Sequence, residues 1–169
     1  WEDVGTIRSF HAANMDFADD APRFDFHEHR IYTNARHLPP AKIYGSRLDR
    51  VLASEGCLLN QVDAERAVVG IRGLVGPGTR LENTLLMGAD YYETVRDCED
   101  ALASGSLPVG IGKDCRIRNA IIDKNARVGD GVHLLNDKGV SFADGEYYHI
   151  RDGIIVIPKN AVVPSGAVV

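Results

Sequence analysis

The chain has 169 residues, of which 44% are hydrophobic, enough for one sizeable domain with or without a small appendage. The formal charge of −5 and the pI near 5.6 argue against a nucleic-acid partner or an acidic membrane surface, because both attract basic protein faces. There is no long apolar stretch and no signal-peptide pattern, so we expect no membrane span and a cytosolic or cytosol-like location. Because the chain begins at Trp1, we expect it to be part of a longer protein.

The first predicted element is a helix. The stretch "GTIRSFHAANMDFAD" opens with Thr6, a good N-cap, and its apolar residues fall on approximately one face, which predicts a helix over about residues 7–17. The following segment contains three prolines and little periodicity, which predicts an extended connector over 21–42.

From Ile43 onward an aliphatic residue returns about every six positions, with a small residue four positions after it. Short repeats of this kind are typical of a hexapeptide solenoid, in which three short parallel strands complete one triangular coil. Aliphatic side chains then stack inward, and small residues fit the corners. We therefore predict a mainly β fold with a β-helix over 43–169. The clearest repeats begin at Val75, Ile111, Ile122, Val128, Ile157 and Val163.

Two excursions interrupt the repeat. The first excursion, residues 89–108, contains Thr94 and Asp97 as a capping box and ends near Gly105, which predicts a short helix. The second excursion, residues 136–153, is polar and rich in turn residues, which predicts a surface loop.

Two lysines share one position in the repeat. Lys124 lies two residues after Ile122, and Lys159 lies two residues after Ile157. If those isoleucines lie on the same face in neighbouring coils, about 4.8 Å apart, the two ammonium groups project from one corner. Lys113 has the same phase on another face, where Asp130 lies one coil above, which predicts an ordinary surface ion pair.

Paired lysines need either a counter-charge or freedom to move apart in water, because like charges on neighbouring strands repel. A phosphorylated metabolite would supply the counter-charge, since lysine is a common donor to phosphate. The alternative is a solvated surface with no ligand.

Other candidate chemistry is sparse. Cys57, Cys98 and Cys115 are widely spaced without a C-x-x-C pair, so we expect free thiols. His27 and His29 have the spacing of metal ligands but lack a third partner at solenoid spacing, so we favour a structural or surface role.

No nucleophile elbow, P-loop or H-E-x-x-H motif is present, so the chain alone is not predicted to be an enzyme. His133, near a coil edge, leaves a hexapeptide acyltransferase as an alternative.

Seven strings in order carry a family resemblance that covers essentially the whole chain: "WEDVGTI", "LPPAKI", "VVGIR", "MGADYYET", "PVGIG", "IIDKNARVG" and "KNAVVPSGAVV". Together they resemble the C-terminal region of ADP-glucose pyrophosphorylase (glucose-1-phosphate adenylyltransferase), most closely its plant and cyanobacterial branch. The resemblance implies a left-handed parallel β-helix that supports oligomer contacts, in a homo- or heteromeric tetramer, and allosteric control. Its location would be the cytoplasm, or the plastid stroma in a plant.

The resemblance also implies a catalytic partner domain that transfers the adenylyl group of ATP to glucose 1-phosphate with Mg²⁺, for glycogen or starch synthesis. Residues 1–20 would be the end of that nucleotidyltransferase domain. Asp3 matches the family's Mg²⁺ ligand, which would act only in the intact enzyme.

Lys124 and Lys159 match the family's lysines for an anionic activator, which is 3-phosphoglycerate in this branch and fructose bisphosphate in others. Asp152 replaces a common serine, and we expect it to bring negative charge near that site. A purely structural assembly module with solvated lysines is the competing hypothesis.

Overall fold

The computed structural model describes residues 3–25, 28 and 31–169, and within them the chain forms two helices and fourteen strands. The helices are α1 (Ile7–Asp16) and α2 (Val95–Ala103). The strands are β1 (Lys42–Tyr44), β2 (Arg47–Ala53), β3 (Leu58–Asn60), β4 (Asp63–Val69), β5 (Leu74–Val75), β6 (Arg80–Leu86), β7 (Gly110–Ile111), β8 (Arg116–Ile122), β9 (Arg127–Val128), β10 (His133–Leu134), β11 (Phe142–Asp144), β12 (His149–Arg151), β13 (Ile154–Ile157) and β14 (Val162–Val163).

Parallel strands build a triangular β-helix, as the six-residue spacing predicted. One face is the stack β1, β3, β5, β7, β9 and β14. The seven-residue strands β2, β4, β6 and β8 form a second stack, and each covers two faces because a residue with positive φ bends the strand at its middle. β10 and β13 continue these two faces by pairing with the first and last parts of β8.

Left-handed backbone conformations mark the corners. Asn83 and Asn119, at the middle of β6 and β8, have φ of 47° and 48°. Most side chains lose about 1–2 kcal/mol in this region, and asparagine tolerates it because its short amide bonds locally. The Asn83 amide donates to the Asn119 side-chain oxygen one coil away, at 2.5 Å. The small residues predicted at corners follow such positions directly, as Ala126 follows Asn125 (φ 60°).

Inward aliphatic columns form the core. Leu81, Ile117 and Leu134 lie in register on one face, and each is at most 1% exposed. Ile122 and Ile157, on the next face, are fully buried. Each such side chain contributes about 1.5–3 kcal/mol through burial, so the repeated aliphatic position is the main source of stability.

α1 packs against the outside of the β-helix. His11 is buried, and its Nε2–H donates to the Asn83 carbonyl at 2.9 Å. Met15 is fully buried among aliphatic side chains of the outer surface: Leu85, Ile121 and Ile154. α1 thus shares a hydrophobic cluster with the β-helix, and the assignment of residues 1–20 to the end of a nucleotidyltransferase domain stays a prediction.

The first excursion leaves the coil between β6 and β7 and carries α2. The expected capping box is present: Thr94 accepts a hydrogen bond from the Asp97 backbone, and the Asp97 side chain accepts one from the Thr94 backbone. α2 contributes no buried side chain. Its position therefore depends on contacts made by the segments on either side of it.

The prediction of a loop for the whole second excursion was wrong. β11 and β12 form an antiparallel hairpin, and β12 continues the sheet by pairing antiparallel with β13. The turn begins at Asp144-Gly145, a dipeptide that favours hairpins.

The three cysteines are free thiols, as predicted, and burial raises the pKa of each one. No helix within the described ranges is long and apolar enough to cross a membrane.

Candidate functional site

The predicted register of the two lysines is confirmed. Ile157 pairs with Ile122 across parallel strands β13 and β8. Two residues later, Lys124 and Lys159 each precede an asparagine with φ of 60°. Their side chains therefore project from the same corner in adjacent coils, and we call this place the lysine corner.

A single carboxylate joins the two ammonium groups. Lys124 Nζ donates to Asp90 Oδ1 at 3.0 Å, and Lys159 Nζ donates to Asp90 Oδ2 at 2.8 Å. The side chains keep 31% (Lys124), 50% (Lys159) and 35% (Asp90) of their surface exposed. The lysine corner is thus a solvent-facing cluster in which two cations converge on one small anionic group.

Asn125 holds Asp90 in this position. Its side-chain oxygen accepts the Asp90 backbone N–H at 2.8 Å, and its amide donates to Asp90 Oδ2 at 3.1 Å. The same amide reaches the Asn160 side-chain oxygen at 3.2 Å. Since Asn125 is only 5% exposed, it connects the coil interior to the charged groups outside.

The charges at the lysine corner stabilise one another. Hydrogen bonds from Lys159, then Lys124 and Asn125, hold the pKa of the Asp90 carboxyl well below its usual range. The bond to Asp90 raises the pKa of Lys159. Both shifts favour the charged forms of Asp90 and Lys159, and the carboxylate offsets part of the positive charge of the corner.

Reasoning from the repeat did not find Asp90. Gly88 precedes it by two residues, and the Gly88 carbonyl accepts the Asn125 N–H just as the Lys124 carbonyl accepts the Asn160 N–H. Gly88 is thus the Lys124 position of the preceding coil. The repeat ends where the first excursion begins, so its spacing does not reach Asp90. The one sequence signal for a counter-charge was an acidic residue two positions after Gly88.

Further contacts anchor the beginning of the first excursion to the β-helix. The Tyr92 hydroxyl donates to the Gly56 carbonyl at 3.0 Å. Glu93, whose side chain is 8% exposed, pairs with Arg127 at 2.5 Å and accepts the Val109 backbone N–H at 2.7 Å. The segment between Asp90 and α2 is therefore tied to several coils.

Lys113 forms the surface ion pair that the sequence predicted. Its Nζ lies 3.6 Å from Asp130 Oδ2, and both side chains are more than half exposed. This pair resembles the Asp90 contacts chemically but involves one lysine, so it serves as a matched control.

Asp3 is exposed, and its carboxylate accepts the Gly5 backbone N–H at 2.9 Å. Within the described part of the chain no group of three or more His, Cys, Asp or Glu side chains is arranged to hold a metal ion. These residues alone do not fit a Mg²⁺ site, and the role of Asp3 stays a prediction. His27 and His29, considered above as metal ligands, lie outside the described residues.

Two other predicted residues lie elsewhere. Asp152 was expected near the anion site, but its carboxylate lies 3.5 Å from Arg8 Nη2, and the acidic partner of the lysines is Asp90. His133 lies in β10, in register with Arg116 and bridged to Val168. Nothing in this placement favours an acyltransferase site.

A family model described as the GLGC left-handed parallel β-helix domain matches residues 36–168, from the end of the connector almost to the last residue. The matched region contains all fourteen strands and the lysine corner. The predicted resemblance to ADP-glucose pyrophosphorylase is thereby confirmed, while its plant and cyanobacterial branch stays a prediction. The chain belongs to the GLGC left-handed β-helix family, the C-terminal domain of ADP-glucose pyrophosphorylase, which is a nucleotidyltransferase.

Proposed function

We propose that this domain regulates ADP-glucose synthesis by binding the phosphate group of an anionic effector at Lys124 and Lys159. The observation that supports the proposal is the convergence of both ammonium groups on the two oxygens of Asp90. A phosphate offers more oxygens and more negative charge than a carboxylate in the same position, and charge-assisted bonds to it are strong.

The rigid β-helix supports this role. The lysines follow neighbouring, hydrogen-bonded strands, so their backbones keep a separation of one strand spacing, about 4.8 Å. Two donors held at this distance need little reorganisation to bind one small anion. The effector class is therefore a phosphorylated metabolite such as 3-phosphoglycerate or fructose bisphosphate, or phosphate itself.

The proposed partners are a nucleotidyltransferase domain of the same protein and further copies or related subunits in an oligomer. Transfer of the adenylyl group from ATP to glucose 1-phosphate, with Mg²⁺, would occur in that catalytic domain. An effector at the lysine corner alters catalysis only if it binds more tightly to one arrangement of the two domains.

The test is an activation assay on the complete enzyme. We expect Lys124→Ala and Lys159→Ala to raise the concentration of 3-phosphoglycerate needed for half-maximal activation by roughly tenfold or more, which lies within the usual range of allosteric couplings. Lys113→Ala removes a lysine that is also paired with an aspartate, on another face, and should leave activation unchanged. Equal activation of all three variants would refute the proposal.

One observation favours a purely structural role as a second candidate. Asp90 already partners both lysines, so the lysine corner could serve only to fasten the first excursion. In that case isothermal titration calorimetry of the chain with inorganic phosphate shows no binding, and Lys159→Ala lowers the melting temperature without affecting activation.

A further inference from the structure

We infer that Asp90 is a built-in competitor of the effector phosphate, and that its displacement transmits effector binding to the first excursion. The inference rests on the proposed function, because it assigns a means of regulation to the same two lysines. In this proposal the Asp90 carboxylate has two roles. It neutralises part of the charge of the lysines when no effector is bound, and it sets the concentration at which an effector binds.

Both carboxylate oxygens are engaged. Each lysine donates to a different oxygen of Asp90, and Asn125 donates to the second oxygen as well. A phosphate that takes the same position between the two ammonium groups therefore replaces the carboxylate. If it binds without replacing it, two anions share the same two cations at close range.

The local charge count favours replacement. Two ammonium groups and one carboxylate leave a formal charge of +1 at the lysine corner. A phosphate dianion matches the two lysines alone, whereas with Asp90 in place it leaves the cluster negative. A further carboxylate, Asp123, accepts the Lys124 backbone N–H at 2.6 Å and favours the charged form of Lys159. The surroundings thus disfavour an additional anion unless Asp90 leaves.

Displacement of Asp90 reaches α2 through residues 91–93, of which Tyr92 and Glu93 are themselves attached to the β-helix. Asp90 is held by side-chain contacts and by its backbone N–H to Asn125. Four residues later, Thr94 caps α2, which contributes no buried side chain and exposes Val95 and Leu102. Tyr92 and Glu93 still hold the intervening segment, so loss of the Asp90 contacts removes the attachment nearest the lysines among those that precede α2. An effector at the lysine corner would thereby alter a surface that carries exposed apolar side chains.

The test compares phosphate binding to the chain and to its Asp90→Asn variant by calorimetry, with chloride adjusted to constant ionic strength. Asparagine keeps the size and one acceptor oxygen but removes the charge. We expect Asp90→Asn to lower the dissociation constant for inorganic phosphate by about tenfold, comparable to the usual coupling between two ligand sites of one protein. Asp130→Asn is the matched control, since Asp130 also pairs with a lysine, and it should leave the dissociation constant unchanged.

The outcomes separate this inference from the proposed function. If Lys159→Ala abolishes phosphate binding while Asp90→Asn and the unmodified chain bind equally, the effector site stands and the competitor role is overturned. If neither the unmodified chain nor Asp90→Asn binds phosphate, the proposed function fails as well. If Asp90→Asn binds phosphate more tightly than the unmodified chain, and the double variant Asp90→Asn, Lys159→Ala loses this binding, both the competitor role and the proposed function are supported.

A measurement on the unmodified chain keeps the inference testable if Asp90→Asn folds poorly. In amide NMR spectra, saturating phosphate should shift the signals of Asp90 and of α2 along with those of Lys124 and Lys159. The amides around Lys113 serve as the internal control and should not move. Shifts confined to the two lysines would show that Asp90 stays in place and would overturn the inference.

Discussion

Asn125 is the residue on which the geometry of the lysine corner depends most, and Asn125→Ala tests this. The side chain is 5% exposed and bonds to the Asp90 backbone N–H and to Asn160, besides the Asp90 carboxylate. Loss of the first two bonds costs about 1–3 kcal/mol. Alanine at φ of 60° adds about 1–2 kcal/mol of backbone strain. We therefore expect the free energy of unfolding to fall by about 2–5 kcal/mol.

Asn125→Gly separates the two contributions. Glycine loses the same hydrogen bonds but adopts positive φ without a Cβ clash, so it should be about 1 kcal/mol more stable than the alanine variant. Urea denaturation of the parent chain and of the alanine and glycine variants measures both losses of unfolding free energy, provided that the dependence on urea concentration has the same slope in all three. Because both variants lose the contacts that place Asp90, both should also change phosphate affinity. Equal stability of the alanine and glycine variants, or losses below about 0.5 kcal/mol in both, would contradict this reasoning.

Two further predictions concern the attachments of the excursion and of α1. Glu93→Gln leaves the Arg127 guanidinium, 19% exposed, without its carboxylate, so we expect a loss of about 3 kcal/mol in urea denaturation, near the low end for a broken buried pair. A midpoint unchanged from that of the parent chain would refute this. Burial lowers the pKa of His11 below that of the unfolded chain, so neutral His11 stabilises the fold above about pH 6.5, and this contribution is lost as pH falls toward the lowered pKa. His11→Gln should therefore flatten the decline in melting temperature below about pH 6.5, and an identical pH profile would count against this explanation.

Periodicity was sufficient to predict the β-helix, because one requirement, an inward aliphatic side chain in each face of each coil, acts on residues at fixed separation. The same counting placed Lys124 and Lys159 together, since a side chain's position within a coil also fixes the corner from which it projects. The pairing of Ile157 with Ile122 shows that the phase survives the second excursion.

What the sequence did not predict lies where the period is interrupted. Asp90 belongs to the first excursion, and its contact with Lys159 spans 69 positions that no repeat relates. The docking of α1 depends on outward side chains such as Leu85 and Ile121. These are buried by contact with α1, and the repeat specifies only the side chains that point into the coil. The hairpin of the second excursion has a local turn signal, but only its pairing with β13 gives it a place in the sheet.

The lysine corner also explains how a stacked repeat can hold two like charges in register. Asn125 and Asn160 direct their side chains toward each other, which leaves the preceding lysines pointing outward one strand apart. On an open surface such a pair repels, and its side chains would move apart. Asp90, supplied from outside the repeat, keeps both ammonium groups converged at one corner. Under the proposed function, an anion already held between the lysines lowers their affinity for an external one, because the two compete for the same ammonium groups.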